Sequence, residues 1–302
     1  MRVLMLPDYR KDNPYQELLA IQMERNGDQV VFPSGYKRVF PLFRAIRSQG
    51  GEQLHLHWPD PYFKGQYAVV KFLYGIKFLI DILLIRISGV KVEWTVHNIV
   101  SHNSRFPEIE KFVYHLLSKI VSKIMVHDTS VKNQVKLEYR VKGTKIEIIE
   151  HPSYEILYPK PWPGRDAARL ELGIDSDKIV FLHLGMISPY KGTLELIEFW
   201  REKYHSSSEV YLLLAGKAIN EDFRSQVVQA ISDSANIKWD QGFVSHEMIP
   251  NYFQAADAVV VPYKKITTSG SRILARDFGK ISIESLDGIH EFIENIGSQQ
   301  KG

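Results

Sequence analysis

The stretch VVVPYKKITTSGSRILARDFGK, residues 259–280, runs from an apolar, strand-like segment into a cluster of hydroxyl side chains around Gly270. Thr267, Thr268, Ser269, Gly270 and Ser271 stand between Lys264 and Lys265 on one side and Arg272 on the other. Hydroxyls and free backbone N–H groups at the start of a helix are donors for an anion, and a glycine lets a ligand approach the backbone. Plain helix capping by Ser269 or Ser271 uses the same residue types. A second cation lies in LGMISPYKGT, residues 184–193, where Lys191 falls just before a helix expected to begin at Gly192 or Thr193. A lysine at that end opposes the helix dipole unless an anion sits beside it; its plainer role is to point into water. Taken together, Lys191, the donors at Thr268, Ser269, Gly270 and Ser271, and Arg272 have the chemistry of a phosphate or diphosphate site. The spacing is not GxxxxGK[ST], so this is no P-loop.

The first half offers a different chemistry. In WTVHNIVSHN, residues 94–103, His97 ends a strand and Asn98 and His102 follow in a polar loop, a set suited to hydrogen bonding with sugar hydroxyls or an acceptor phosphate. In LHLHWPD, residues 54–60, the period of two places His55 and His57 on one strand face. Trp58 after them can stack on a sugar ring or pack in the core. Asn13 and Tyr15, after the first strand, are further candidates, whereas His127 and His151 read as structural. With no H-E-x-x-H in the chain, no metal site is expected, and nothing calls for a cofactor.

These loops need strands and helices to aim them. Apolar runs at RVLML, QVVF, LHLHW, VEWTVH, KIMVH and IEIIEH alternate with helical-period segments, the signature of a parallel α/β sheet. Pro152, Pro159, Pro161 and Pro163 then interrupt the pattern, and a second alternation follows through KIVFLHLG, VYLLLAG, NIKW, DAVVVPY and KISIE. The expected organisation is an N-terminal domain over 1–152, a linker over 153–175 and a C-terminal domain over 176–302. The fold class is α/β, two Rossmann-like domains facing a cleft, with ligands at the carboxyl ends of the strands.

Bulk properties bound the function. The 302 residues, 44% hydrophobic and 24% charged, suit a folded globular protein. A formal net charge of +3 is too small to argue for nucleic acid. The chain has no cysteine, which agrees with a reducing compartment, and MRVLMLPD enters a strand at once without signal-peptide character, so a cytoplasmic location is expected. The most apolar stretch, 69–90, carries Lys71, Lys77, Asp81 and Arg86, which suits a buried or interfacial helix rather than a span. Residues 36–47 carry Lys37, Arg38, Arg44 and Arg47 without a carboxylate, either a solvated helix face or a peripheral contact with anionic membrane on its inner face.

The ordered set LGMISPYKG, LLLAGKA, GFVSHEMIPNYFQAADAVVVPY, TSGS and DFGK resembles the nucleotide-sugar-binding domain of GT-B glycosyltransferases of family 4. The likeness is best over about 180–290, and the first half is similar to the acceptor domain of a subgroup used in exopolysaccharide synthesis. It implies a retaining hexosyltransferase that takes a nucleoside diphosphate sugar and a glycan or polyprenyl-linked acceptor, as in bacterial polysaccharide synthesis, without a metal. By the same resemblance Lys191 pairs with the donor diphosphate, the backbone around TSG and Gly185 cradles phosphate, and His97 contacts the transferred sugar. Met186 stands where the family has arginine, and the family's paired glutamates, expected near Ile266 and Leu274, are absent. The C-terminal domain is expected to be incomplete relative to the family, so the alternative is a truncated, non-catalytic GT-B protein that binds a nucleotide or a partner. An epimerase or hydrolase on the same fold would need a carboxylate pair at the anomeric centre, which the sequence does not place.

Overall fold

The computed structural model describes residues 1–11, 13–34, 39–101, 104–263 and 270–299, the last three of these by backbone alone. The chain divides into two compact units, Met1–Pro152 and Ser153–Gly302.

In the first unit the strands β1 (Arg2–Leu6), β2 (Gln29–Val31), β3 (Gln53–Leu56), β4 (Lys91–Thr95), β5 (Lys123–Val126) and β6 (Ile146–Ile148) form a parallel sheet in the order β2-β1-β3-β4-β5-β6. Strands such as RVLML and QLHL are buried on both faces, as parallel strands covered by helices must be. On one face Leu4, Leu54, Trp94 and Ile124 pack against Phe78 and Ile82 of α3 (Ala68–Ile87) and Val113 and Leu117 of α4 (Pro107–Ile120). Gly75 of α3 brings these two helices together, since a Cβ there would lie 2.6 Å from Val113 Cγ2. On the other face Met5 packs with Tyr15 and Leu19 of α1 (Tyr15–Arg25). The helices α2 (Pro41–Gln49) and α5 (Thr129–Glu138) complete the unit; the charged residues of 69–90 thus sit in one helix of a folded domain.

The second unit repeats the plan with β7 (Ile179–Leu184), β8 (Val210–Gly216), β9 (Ile237–Gln241), β10 (Ala258–Val260) and β11 (Ile281–Ile283), parallel in the order β11-β10-β7-β8-β9. The helices are α6 (Arg165–Leu172), α7 (Thr193–Tyr204), α8 (Glu221–Ile231), α9 (Ile249–Ala255), α10 (Gly270–Asp277) and α11 (Asp287–Gln299). The stretch 153–175, expected as a linker, is packed into this unit, with α6 inside it. The four prolines all precede Gly164, so none of them interrupts α6.

Arg169 of α6 locks that helix to the sheet. It is fully buried; Nε donates to the Ala255 carbonyl at 3.0 Å, Nη1 to Lys178 at 2.7 Å and Nη2 to Asp257 Oδ2 at 2.7 Å. Asp257 Oδ2 also accepts from the Val180 amide at 2.7 Å. Removing the guanidinium takes the nearer cation from Asp257, which keeps Arg165 at 3.4 Å, and the donors from the Ala255, Ser176 and Lys178 carbonyls. Arg169→Ala is therefore expected to cost the second unit about 3–5 kcal/mol, measured by urea unfolding.

Candidate functional site

Strand order reverses between β7 and β10: the chain leaves β7 for β8 on one side and returns through β10 on the other. Open α/β sheets bind ligands at the carboxyl ends of such a pair. Here those ends carry Gly185 and Lys191 from the β7–α7 connection, and Tyr263 together with the start of α10 after β10.

Lys191 is only 8% exposed. Its Nζ donates to the Leu184 carbonyl at 3.3 Å and lies 5.2 Å from the centre of the Tyr263 ring. No carboxylate lies within ion-pair distance of it among the described residues. A buried ammonium that, among the described residues, is held by one carbonyl and a ring face is incompletely compensated by them and attracts an anion. Gly185 makes the position possible, because a Cβ there would fall 2.5 Å from Nζ and its φ of 111° disfavours other residues. Gly192 ends the lysine turn at φ 69° and lets α7 begin against Pro262, whose carbonyl a Cβ would meet at 2.4 Å.

Beneath Lys191, His183 bonds the Val260 carbonyl through Nδ1 at 3.0 Å and Thr193 Oγ1 through Nε2 at 3.2 Å. Burial, reinforced by the Lys191 charge, lowers its pKa to about 4, so the ring is neutral. Nδ1 is then the donor and Nε2 the acceptor, which ties β7 to β10 and to the first residue of α7.

Of the residues expected to bind phosphate, Gly185, Lys191, Gly270 and Ser271 come together in this unit. Ser271 is not a cap: it lies inside α10, its hydroxyl donates to the Leu184 carbonyl at 2.9 Å and accepts from Tyr263 OH at 3.1 Å. Gly270 opens α10, with Tyr154 OH 3.3 Å from where its Cβ would be. Arg272 is exposed and paired with Glu284 at 3.0 Å. Met186 is exposed beside Gly185. Thr268, Ser269 and Ile266 lie outside the described residues, as do Lys264 and His102. The sequence reading missed Tyr263, Tyr154 and Asp277, whose Oδ2 accepts from the Tyr154 amide at 2.7 Å and ties the entry to this unit to α10. No sequence spacing signals that pairing across more than a hundred residues.

In the first unit the reversal falls between β1 and β3. Histidines end four adjacent positions of this edge: His55 and His57 on β3 and beyond it, His97 after β4, His127 after β5 and His151 after β6. They gather around Tyr15, whose ring centre lies 4.7 Å from His97, 5.3 Å from His127 and 4.8 Å from His151. His97 Nε2 is 3.2 Å from His57 Nδ1, and Trp58 stacks on the His97 ring at 4.1 Å. Trp58 thus has a protein ring as one stacking partner, and Asn98 is half-buried beside it at the rim of a small pocket. Burial drives His97 and His57 well below the usual imidazole range, and neighbouring imidazoles add to the shift. The buried rings His55, His57 and His97 are held neutral, and among the described residues no group of three His, Asp or Glu side chains could hold a metal ion. His127 and His151, read from sequence as structural, belong to this same ring cluster.

Beside the cluster, a cavity of about 440 Å³ is lined by Asp8 and Tyr9 after β1, Pro61 and Tyr62 after β3, Pro41 of α2 and Lys77 and Asp81 of α3. Tyrosine rings beside the Lys77 amine are a fitting lining for a polyhydroxylated ligand, while Asp8 is paired with Arg10 and Asp81 with the α2 amides.

Residues 164–270 match the family of glycosyl transferases group 1. The structure of Anabaena HepE in complex with UDP-glucose superposes with a TM-score of 0.68 at 15% identity, over 93% of this chain and 79% of that one. Sucrose-phosphate synthase from Thermosynechococcus elongatus superposes with a TM-score of 0.65 at 14% identity, over 93% of this chain and 80% of that one. The fold is that of the GT-B glycosyltransferases. In sequence, the chain is similar to GDP-mannose:glycolipid 4-beta-D-mannosyltransferase of Xanthomonas campestris pv. campestris, 23% identical over 239 residues, which are 79% of this chain and 62% of the relative. It thus spans about three-fifths of the length of that curated relative.

Two outcomes follow from this geometry. Gly185→Ala is expected to displace the Lys191 amine and destabilise the second unit by about 1–3 kcal/mol, measured by chemical denaturation. The second outcome concerns acid. The folded pKa of His55 and of His183 is about 4 against 6.5 for the free imidazole, so between these values the unfolded chain binds protons that the folded chain refuses. Stability is full above about pH 6.5 and falls as pH drops toward 4, by on the order of 1 kcal/mol per such imidazole at pH 5.5. Calorimetry at pH 7.5 and 5.5 should show melting lowered by at least about 2–4 °C, and by more in the histidine-rich first unit than in the second.

Proposed function

We propose that the protein is a glycosyltransferase that moves a hexosyl group from a nucleoside diphosphate sugar to a glycan or polyprenyl-linked acceptor. The observation that carries this reading is Lys191: a buried ammonium without a carboxylate partner among the described residues, at the β7/β10 reversal of a GT-B fold. The match of residues 164–270 to glycosyl transferases group 1 supports the same assignment.

In this reading the donor diphosphate lies against Lys191 and the backbone N–H groups at the start of α7 and α10. Charge grows on the departing phosphate oxygen as the glycosidic bond breaks, and a cation already fixed there stabilises the transition state more than the ground state. His97, neutral and oriented by His57, serves as a hydrogen-bonding partner for a hydroxyl of the transferred sugar. The cavity lined by Tyr9 and Tyr62 receives the acceptor. No enzymic nucleophile and no metal enter this scheme: the acceptor oxygen bonds to the anomeric carbon on the face from which the diphosphate leaves, which retains the configuration, and the leaving phosphate oxygen takes the acceptor proton.

A second reading, a nucleotide-binding protein without transferase activity, is favoured by Met186 at the family's arginine position and by Arg272 being engaged with Glu284. One set of experiments separates the two. A thermal-shift panel of UDP, GDP, ADP and their sugars identifies the base, and donor turnover with the ligand that binds then decides. Lys191→Ala is expected to lower turnover at least about 100-fold, the scale of one lost transition-state charge contact. Unchanged turnover in that variant overturns the assignment, and binding without turnover in the parent protein selects the second reading. The Xanthomonas relative is named for a β linkage, so the anomeric configuration of the product, read by NMR, is the test of retention.

A further inference from the structure

The helix α3 is apolar on two faces, and only one of them is used by the core. Phe78, Ile82 and Ile85 face the sheet, whereas Val69, Phe72, Leu73, Ile80, Leu83 and Ile87 face solvent, with Val69 68%, Leu73 59% and Ile87 74% exposed. At 100° per residue these six and Ile76 fall within one stripe about 120° wide and about 27 Å long. Exposed apolar residues scattered singly mean little, but a continuous stripe of this length marks a contact surface.

The flanks of the stripe identify its partner. On one side Asp81 accepts from the Leu42 and Phe43 amides at 3.0 and 2.9 Å, which holds the start of α2 against α3. That helix exposes Arg44 and Arg47, neither with a carboxylate partner among the described residues. On the other side Phe112 of α4 extends the apolar surface, its ring 5.9 Å from that of Phe72. Asp81 is the only acidic residue within α2 and α3, and it is buried; Lys77 and Arg86 are partly exposed, so the ionic groups α2 and α3 expose are cationic. Exposed Tyr67 and Tyr74 add the amphipathic rings that favour a lipid–water boundary.

We propose that this face, the α3 stripe with the α2 arginines at its edge, docks on the surface of an anionic lipid bilayer. The helix lies in the interface with its stripe among the acyl-chain boundary and its opposite face on the protein core. It does not cross: no helix among the described residues is long and apolar enough to do so. A second copy of the chain would satisfy the apolar stripe but bring no carboxylate from α2 or α3 to the arginines, whereas acidic headgroups supply the missing charge. The contact expected over 36–47 is thereby moved onto α3, with Arg44 and Arg47 as its edge; residues 36–38 lie outside the described residues. The inference does not depend on the sugar-transfer assignment, although it would bring the cavity beside Lys77 and Asp81 close to a lipid-borne acceptor.

The test is sedimentation of the full chain with vesicles of phosphatidylcholine containing roughly 30% phosphatidylglycerol, against phosphatidylcholine alone. The protein is expected to bind the anionic vesicles and to lose binding at high salt. Leu73→Glu with Leu83→Glu, and separately Arg44→Glu with Arg47→Glu, should each weaken partitioning roughly tenfold or more while leaving the circular dichroism spectrum unchanged. Failure of the parent chain to sediment, or binding indifferent to both pairs, overturns the proposal. So does a dimer in analytical ultracentrifugation that the leucine pair converts to monomer without any vesicle binding, which assigns the face to a second copy. None of these readouts involves a sugar nucleotide, so the outcome stands apart from that of the Lys191 variant.

Discussion

A buried ammonium must be compensated, and in the second unit much of the local backbone is arranged around that requirement. Lys191 is held under a turn that exists because Gly185 has no side chain, on a strand whose carbonyl at Leu184 it shares with Ser271. The neutral His183 beneath it adds no competing charge and ties the two strands and the helix that frame the site. On the proposed assignment, fixing these groups before a ligand arrives leaves the dipoles and the cation already oriented, with little reorganisation needed for the reaction.

The first unit solves a different problem. Five imidazoles and a tyrosine crowd the carboxyl edge of its sheet, and burial keeps the innermost of them uncharged. Neutral rings can donate and accept hydrogen bonds without the desolvation cost of a fixed charge, which suits recognition of hydroxyl groups. The same choice makes this unit acid-sensitive, because His55, His57, His97 and His127 gain a proton more readily once they are exposed.

Much of the fold was legible from pattern. Each apolar run expected as a strand is a strand, and the helix starting at Thr193 was readable from the KGT junction. The segment 153–175 was harder, because four prolines dominate its composition while the residue that anchors it, Arg169, finds its partners at Ala255 and Asp257. The site was partly readable for a similar reason. Glycine, lysine and hydroxyl residues at strand ends carry a local signal. The bonds that orient them, Tyr263 to Ser271 and Asp277 to Tyr154, join residues whose types are ordinary in isolation.

The sequence by itself determined the alternation of strand and helix, the parallel sheets and the placement of Gly185, Lys191 and His97 at strand ends, because periodicity and backbone preference are local properties. Only the tertiary structure decided that Lys191 is buried without an acidic neighbour among the described residues, that five distant histidines share one cluster, and that α3 keeps an apolar face turned to solvent. An apolar helix reads the same from sequence whether one face or both are covered; burial depends on what the rest of the chain brings against it.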